Sequence, residues 1–231
     1  WPPLALRLGK KTSFVYLPLK EDQLAEHTEL CIPVMMIHEG IPGHHLQFAT
    51  AAQHPSFIRR FFSANEHAEG WTTMLEDYML DVGYISDDLV DEVRFIAKRE
   101  MSRLVARVGI DLYFMTGERD YLNVGLDLGF EKDGYSDDVF DNAAKLLKKA
   151  TGFTDGRIQA ELNWYSSEQG YPLSYLTGNR LVWQLKQDIQ AVNKKDLDAL
   201  SLDQAFHKMY LESGCMPVES LRTVFEQQGY L

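Results

Sequence analysis

The sequence predicts a mainly α-helical domain, and three observations carry that expectation. Apolar residues recur at helical spacing through most of the chain from Glu21 onward. Helix start and stop residues, among them Ser63, Gly83 and Pro217, stand between these stretches. The one strand-like run is Thr12-Ser13-Phe14-Val15-Tyr16-Leu17, rich in β-branched and aromatic residues, so at most a short β element is expected near the N-terminus.

Residues 1–20 otherwise read as irregular, beginning Trp1-Pro2-Pro3. Glu21–Ile37 places Leu24, Leu30, Val34, Met35 and Ile37 for a helix, which a Gly/Pro interruption then breaks. His44–Gln53 resumes helix. Ser63-Ala64-Asn65-Glu66 has the form of a capping Ser followed three residues later by Glu, predicting a helix that runs to about Val82 and stops at Gly83. Ser86–Met115 is expected to be the longest helix, with Leu89, Val93, Ile96, Met101, Leu104 and Val108 on one stripe. Residues 116–137 contain Gly117, Gly125, Gly129 and Gly134 and predict a long, partly helical connection. Asp138–Ala150, Thr154–Ser167, Pro172–Ala191, Ser201–Ser213 and Pro217 to about Gln228 complete the helices. There is no internal repeat and no Pro/Ser linker, so residues 1–231 read as a single domain.

Composition narrows the function classes. Apolar residues make up 45% of the 231 and charged residues 25%, the mix of an ordinary globular protein. Lys plus Arg number 23 against 34 Asp plus Glu, a net charge of −11, which argues against a nucleic-acid partner. The longest apolar stretch, Cys31 to Ile37, is far short of the roughly 20 residues of a membrane span. Cys31 and Cys215 form neither a CxxC motif nor a disulfide framework. The chain begins with Trp1, so it reads as part of a longer or processed protein, and its localisation stays open.

Chemistry concentrates at His38-Glu39-Gly40-Ile41-Pro42-Gly43-His44-His45, which holds three of the seven histidines. His-Glu followed by a further His is how helix-borne zinc sites of metallopeptidases are built. On an ideal helix, at about 100° per residue, His44 is turned roughly 120° from His38, while His45 returns to the same face but about 10 Å further along. Neither suits two Zn–N bonds of about 2 Å on an undistorted helix. Pro42 removes a helical hydrogen bond and Gly43 permits unusual backbone angles, so a break at Ile41–Gly43 is expected that could swing His44 back toward His38. A third ligand is needed, and Glu66 and Glu69 both lie on the next predicted helix. Two histidines, a carboxylate and an open position define a catalytic rather than a structural zinc site.

The stretches His38–Gln47 (HEGIPGHHLQ), Glu69-Gly70-Trp71 with Glu76, Arg103-Leu104-Val105, Gly170 to Gly178 and Ser213-Gly214-Cys215-Met216-Pro217-Val218 resemble, in sequence and order, the DUF885 family. That family is similar to the gluzincin metallopeptidases, near the thimet-oligopeptidase and Taq-carboxypeptidase types. The resemblance spans about residues 35–225. It implies a zincin-like helical metallopeptidase domain, the C-terminal catalytic portion of a longer protein whose N-terminal portion is a further partner. It implies Zn²⁺ held by His38, His44 and Glu69, with Glu39 as general base. The chain departs from the family's usual pattern at Ala106 and Arg107, at Asp111 where His is common, at Tyr171 for a frequent Gln and at Met74 for a frequent Tyr.

The expected function is therefore a zinc-dependent hydrolase of peptide or amide bonds. Glu39 would take a proton from metal-activated water and pass it to the leaving amine. Tyr175 is the first candidate for the oxyanion donor and Tyr171 the second. Arg103 and Arg107 are candidates for pairing with a substrate carboxylate. Glu76, seven residues after Glu69 and on the same helical face, would orient a metal ligand. His45 is expected to pack beside the site. Two alternatives stand beside this reading: a metal-binding domain that is inactive alone, and a helical interaction module. An exposed half-cleft also predicts self-association into a homo-oligomer.

Overall fold

The structure is a computed structural model, and it describes residues 12–16, 21, 24 and 28–231. Among them it is mainly helical, without a strand. They divide into two compact units. One comprises Trp1–Leu17, Pro33–Ile85 and Thr177–Leu231, and the other Pro18–Ile32 and Ser86–Leu176.

The first unit carries α1 (Cys31–Glu39), α2 (His44–Ala51), α3 (Phe57–Phe61) and α4 (Asn65–Asp81). The strand expected over Thr12–Leu17 is absent from its described part. Thr12–Tyr16 has no regular structure, Phe14 and Tyr16 are exposed, and no strand is found among the described residues to pair with it. Of the helix expected over Glu21–Ile37, the part from Cys31 is seen as α1, after a turn at Glu29-Leu30, while residues 22–23 and 25–27 lie outside the described residues. Pro33 then sits in its first turn, where a missing N–H costs nothing. Gly40 to Gly43 breaks the path before α2, as the Pro/Gly pair predicts.

The capping expectation at Ser63 is corrected. The residue before α4 is Ala64, with no side-chain cap. Ala64 N–H instead donates to Cys215 O at 2.8 Å, so the turn before the last helix accepts the N–H that the Glu of a capping box would have taken.

The rest of the first unit is most of α9 (Tyr171–Val192), then α10 (Ala199–Glu212) and α11 (Val218–Gln227). Asp198 caps α10 by accepting from Ser201 N–H. The core joins Ile37 of α1, Trp71, Met74 and Leu75 of α4, Val182 and Leu185 of α9, Phe206 and Tyr210 of α10, and Leu221 and Phe225 of α11. Two helix backbones meet at this core. A Cβ on Gly70 would lie 2.5 Å from the Gly178 carbonyl carbon, and one on Gly178 only 2.1 Å from Glu66 O. Glycine at both positions lets α4 and α9 touch backbone to backbone.

The second unit is built on α5 (Val90–Thr116), the longest described helix at 27 residues. A 3₁₀ turn (Arg119–Leu122), α6 (Phe130–Asp133), α7 (Val139–Thr151), α8 (Asp155–Ser167) and the first residues of α9 follow. Its core gathers Ala106, Ile110, Tyr113, Leu146, Leu147, Leu162 and Tyr165. Asp111 accepts main-chain hydrogen bonds from Gly170 at 3.0 Å and Leu173 at 3.2 Å, so this buried carboxylate serves the first turn of α9. No helix of the described residues is long and apolar enough to cross a membrane.

Candidate metal centre

The break between α1 and α2 creates the site. A Cβ on Gly43 would lie 1.9 Å from His38 O and 2.2 Å from Ile37 O, so the turn folds directly onto the end of α1 and only glycine fits there. Trp71 of α4 holds the turn from the other side, its Nε1–H donating to Pro42 O at 3.0 Å. His44 thereby returns to His38, and the two imidazoles stand edge to face with centroids 4.9 Å apart.

Glu69 of α4 completes a group that could hold a metal ion. One ligand atom from each of His38, His44 and Glu69 lies within 4.8 Å of the others. Glu69 Oε2 is 3.5 Å from His38 Nε2 and 3.3 Å from His44 Nε2. Charge-assisted N–H···O bonds are normally about 2.7–2.9 Å, so these contacts are long. Ligands bonded to zinc at 2.0–2.1 Å in a tetrahedron stand about 3.3–3.4 Å apart, which is the separation seen. The three groups could therefore hold a metal ion between them. The His38 and His44 side chains keep 16% and 14% of their surface exposed against 4% for Glu69, so the two imidazoles are what the site shows to solvent.

The other ring nitrogens settle the tautomers. His38 Nδ1 is 2.7 Å from Glu76 Oε1, a carboxylate that can only accept. His44 Nδ1 is 3.1 Å from Gln47 Oε1, and the Gln47 amide donates in turn to His67 O at 3.3 Å. Both imidazoles thus carry hydrogen on Nδ1 and turn Nε2 toward Glu69, the arrangement in which an outer partner fixes a metal-binding histidine. Thr72 Oγ1 lies 3.2 Å from His38 Nε2 and donates to Glu69 O at 3.1 Å. The His44 ring stacks on Phe48 at 5.2 Å.

Without a metal His38 holds its second proton more tightly than usual. Burial alone lowers the His38 pKa, but the hydrogen bonds and charges of Glu69 and Glu76 outweigh it and raise the pKa to about 10. Burial alone raises the Glu69 pKa, but both histidines outweigh it and hold this carboxyl well below its usual range.

The other sequence-derived residues are placed as follows. Glu39 is the last residue of α1 and is exposed. His45 faces Ser13, whose Oγ is 2.6 Å from His45 Nδ1. Glu76 sits behind His38, where its helical spacing from Glu69 puts it. Tyr171, Tyr175 and Arg103 belong to the second unit. There the Tyr171 and Tyr175 rings stand 5.8 Å apart, and Arg107 lies 5.4 Å from the Tyr175 ring. Arg107 is buried and donates to Tyr165 OH at 2.7 Å and Glu161 Oε2 at 2.9 Å, while Arg103 pairs with Glu100 at 3.1 Å. Sequence reasoning missed the roles of Gln47 and Thr72, and of Trp71 beyond simple packing. Gln47 was findable, because it lies one helical turn after His44.

Two solved structures share the fold. One, described as "the putative lipoprotein from Colwellia psychrerythraea", is 23% identical over 87% of this chain with a TM-score of 0.65. The other, described as "a putative lipoprotein of unknown function from Shewanella oneidensis", is 20% identical over 92% with a TM-score of 0.69. This chain spans 30% and 36% of those chains. At these identities the likeness is one of fold alone. No curated protein matches the chain. The family profile described as "Bacterial protein of unknown function (DUF885)" matches residues 5–224, nearly the whole length, and the chain therefore belongs to the DUF885 family.

Proposed function

We propose that this chain is the metal-binding portion of a zinc-dependent hydrolase that cleaves peptide or amide bonds. The observation that carries the reading is the convergence of His38 Nε2, His44 Nε2 and Glu69 Oε2 at ligand-to-ligand spacing, with each Nδ1 held by an acceptor. Nitrogen and carboxylate donors in threefold number favour zinc with one position left for water. Zinc bound there would lower the pKa of water toward about 7 and polarise a carbonyl.

The chain's own residues supply the rest. Glu39 follows the first ligand directly and is exposed, so its carboxylate is the base that takes the water proton and returns it to the leaving amine. Glu76 and Gln47 keep both imidazoles turned toward the metal position. Glu69 is nearly buried and stays ionised, so it brings a full negative charge to the site.

The test is metal analysis of the zinc-loaded chain together with hydrolysis of a mixed peptide library. One zinc per chain is expected, lost on Glu69→Ala or His44→Ala. Glu39→Gln should keep the zinc and lose hydrolysis. Zinc binding without hydrolysis in the unaltered chain would leave only a metal-holding domain, and no zinc at all would overturn the ligand assignment.

A further inference from the structure

The first unit carries an exposed apolar patch that the metal centre does not use. Phe57, Ile58 and Phe62 keep 63%, 66% and 70% of their surface exposed and Phe61 keeps 43%, so four large apolar side chains crowd six positions in view of solvent. A contiguous exposed apolar patch marks a contact site. The Phe57 and Phe61 rings lie against each other one turn apart, with centroids separated by 4.5 Å. At about 100° per residue, Phe57, Phe61 and Ile58 fall within about 100° of arc on α3, and Arg60 stands at its edge. Arg59 lies on the opposite side and ties the helix down. A Cβ on Gly214 would lie 2.8 Å from Arg59 O and 2.9 Å from Arg59 Cβ, and the Arg59 guanidinium reaches His54 Nε2 at 3.4 Å. The backbone of α3 is thus pressed against the turn before α11, and its apolar arc is turned outward.

The charge around the patch has one sign. The chain holds 34 Asp and Glu, yet residues 40–65 contain none, and Arg59 and Arg60 are their only Lys or Arg. Neither guanidinium pairs with a carboxylate among the described residues. Arg60 instead leans over the patch, 6.0 Å from the Phe57 ring centre and 5.8 Å from that of Phe61. An arginine that lays its stem along apolar surface and keeps its charged head at the rim suits a boundary between an apolar medium and water. What covers α3 therefore has to be apolar within and anionic at its edge. A two-fold contact with a second copy would instead bring the two Arg59-Arg60 pairs together.

We propose that α3 docks the first unit on a membrane surface that contains anionic lipid. Phe57, Ile58, Phe61 and Phe62 enter the boundary between head groups and acyl chains, while Arg60 stays at the level of the lipid phosphates. The net charge of −11 opposes the approach, but at physiological salt it is screened beyond about 8 Å, so the residues at the contact decide. The helix lies in the chain between α2, which carries His44, and α4, which carries Glu69, all in the same unit. The docking does not depend on the metal centre.

The test is co-sedimentation of the whole chain, after chelator treatment, with vesicles of phosphatidylcholine and phosphatidylglycerol at physiological salt, beside vesicles of phosphatidylcholine alone. The chain should bind the first, and the second more weakly. Phe57→Ser combined with Phe61→Ser should weaken binding more than about tenfold with the unfolding temperature held, since both side chains are exposed. Ile58→Ser serves if that double variant misfolds. Arg60→Gln should weaken binding to the anionic vesicles about fivefold, the scale of one basic residue, and leave binding to phosphatidylcholine unchanged. Phe95→Ser, at an exposed phenylalanine of α5, should change nothing. No binding to either vesicle, equal binding to both, binding that survives the double variant, or an equal loss in Phe95→Ser overturns the proposal. Light scattering that finds a dimer dissolved by the double variant also overturns it, because the patch then faces a second copy.

Discussion

His44 and Gln47 stand one turn apart on α2, and the 3.1 Å contact between Gln47 Oε1 and His44 Nδ1 decides which nitrogen of that imidazole is free for a metal. Gln47 can do this because its amide is itself fixed on His67 O, and His67 O also accepts from Tyr210 OH at 2.8 Å. The orientation of the His44 ring on α2 is thus referred to α4 and α10.

Gln47→Leu should therefore weaken zinc binding by about 10- to 100-fold, the usual effect of losing an outer partner of a metal-bound histidine. The unfolding temperature of the metal-free protein should change less than it does for a core truncation. Competition against a chromophoric chelator reads the affinity, and an unchanged value would remove Gln47 from the site.

Gly178→Ala tests the helix contact beneath Glu69. Gly to Ala inside a helix ordinarily stabilises by roughly 0.5–1 kcal/mol. Here the added Cβ falls 2.1 Å from Glu66 O, so α4 and α9 must separate. The sign should reverse to a loss of about 1–3 kcal/mol, the scale of an overpacked core. Urea unfolding measures it, and a stabilised variant would mean that the two backbones are not in contact.

Zinc binding should release protons. In the metal-free protein His38 has a pKa raised to about 10, so at pH 7.5 its Nε2 carries a proton that a metal must displace. The same shift has a stability consequence. The folded value lies above the unfolded one of about 6.5, so the stabilisation is complete below pH 6.5 and is lost as pH rises through about 10. Calorimetry in two buffers of different ionisation enthalpy should show about one proton released per zinc at pH 7.5. Heats that do not depend on the buffer would contradict a protonated His38. Saturating zinc at about a thousand times its dissociation constant should add about 4 kcal/mol of stability.

His207 makes a separate prediction about acid. Burial lowers its pKa most, the Lys186 charge adds to this, and Asp203 opposes it, leaving a value of about 4. The network is tight, with Lys186 and Tyr78 both bonded to Asp203. The folded pKa lies below the unfolded one, so the unfolded chain takes the proton first and stability falls as pH drops from 6.5 to about 4. The full effect is on the order of 3 kcal/mol, from 1.36 kcal/mol per unit over the drop from 6.5 to about 4. His207→Gln should flatten that part of the stability profile, and an unchanged slope would refute the assignment.

Much of the architecture is legible in the sequence because helices announce themselves locally. The apolar stripe of α5, Gly83 just after α4 and Gly117 just after α5 all lie within one or two turns of what they specify. What was not legible depended on distant partners. Thr12–Tyr16 has strand composition but no strand to pair with among the described residues. Ser63 has the spacing of a cap, yet Cys215 O reaches the Ala64 N–H at the helix start from 151 positions further along the chain.

By itself the sequence determined that the chain is helical, that His38, Glu39, His44 and His45 crowd one short stretch, and that Pro42 and Gly43 break the helix between them. It left both His44 and His45, and both Glu66 and Glu69, open as ligands. The tertiary structure decided which of them meet. Gly43 packs against His38 O, Trp71 ties down Pro42 O, and the contact at Gly70 and Gly178 sets α4 against α9. His44 and Glu69 consequently face His38, while His45 turns to Ser13. The physical reason is range. Helical periodicity follows from hydrogen bonds four residues apart, whereas a metal position is defined to a fraction of an ångström by contacts between elements far apart in the chain.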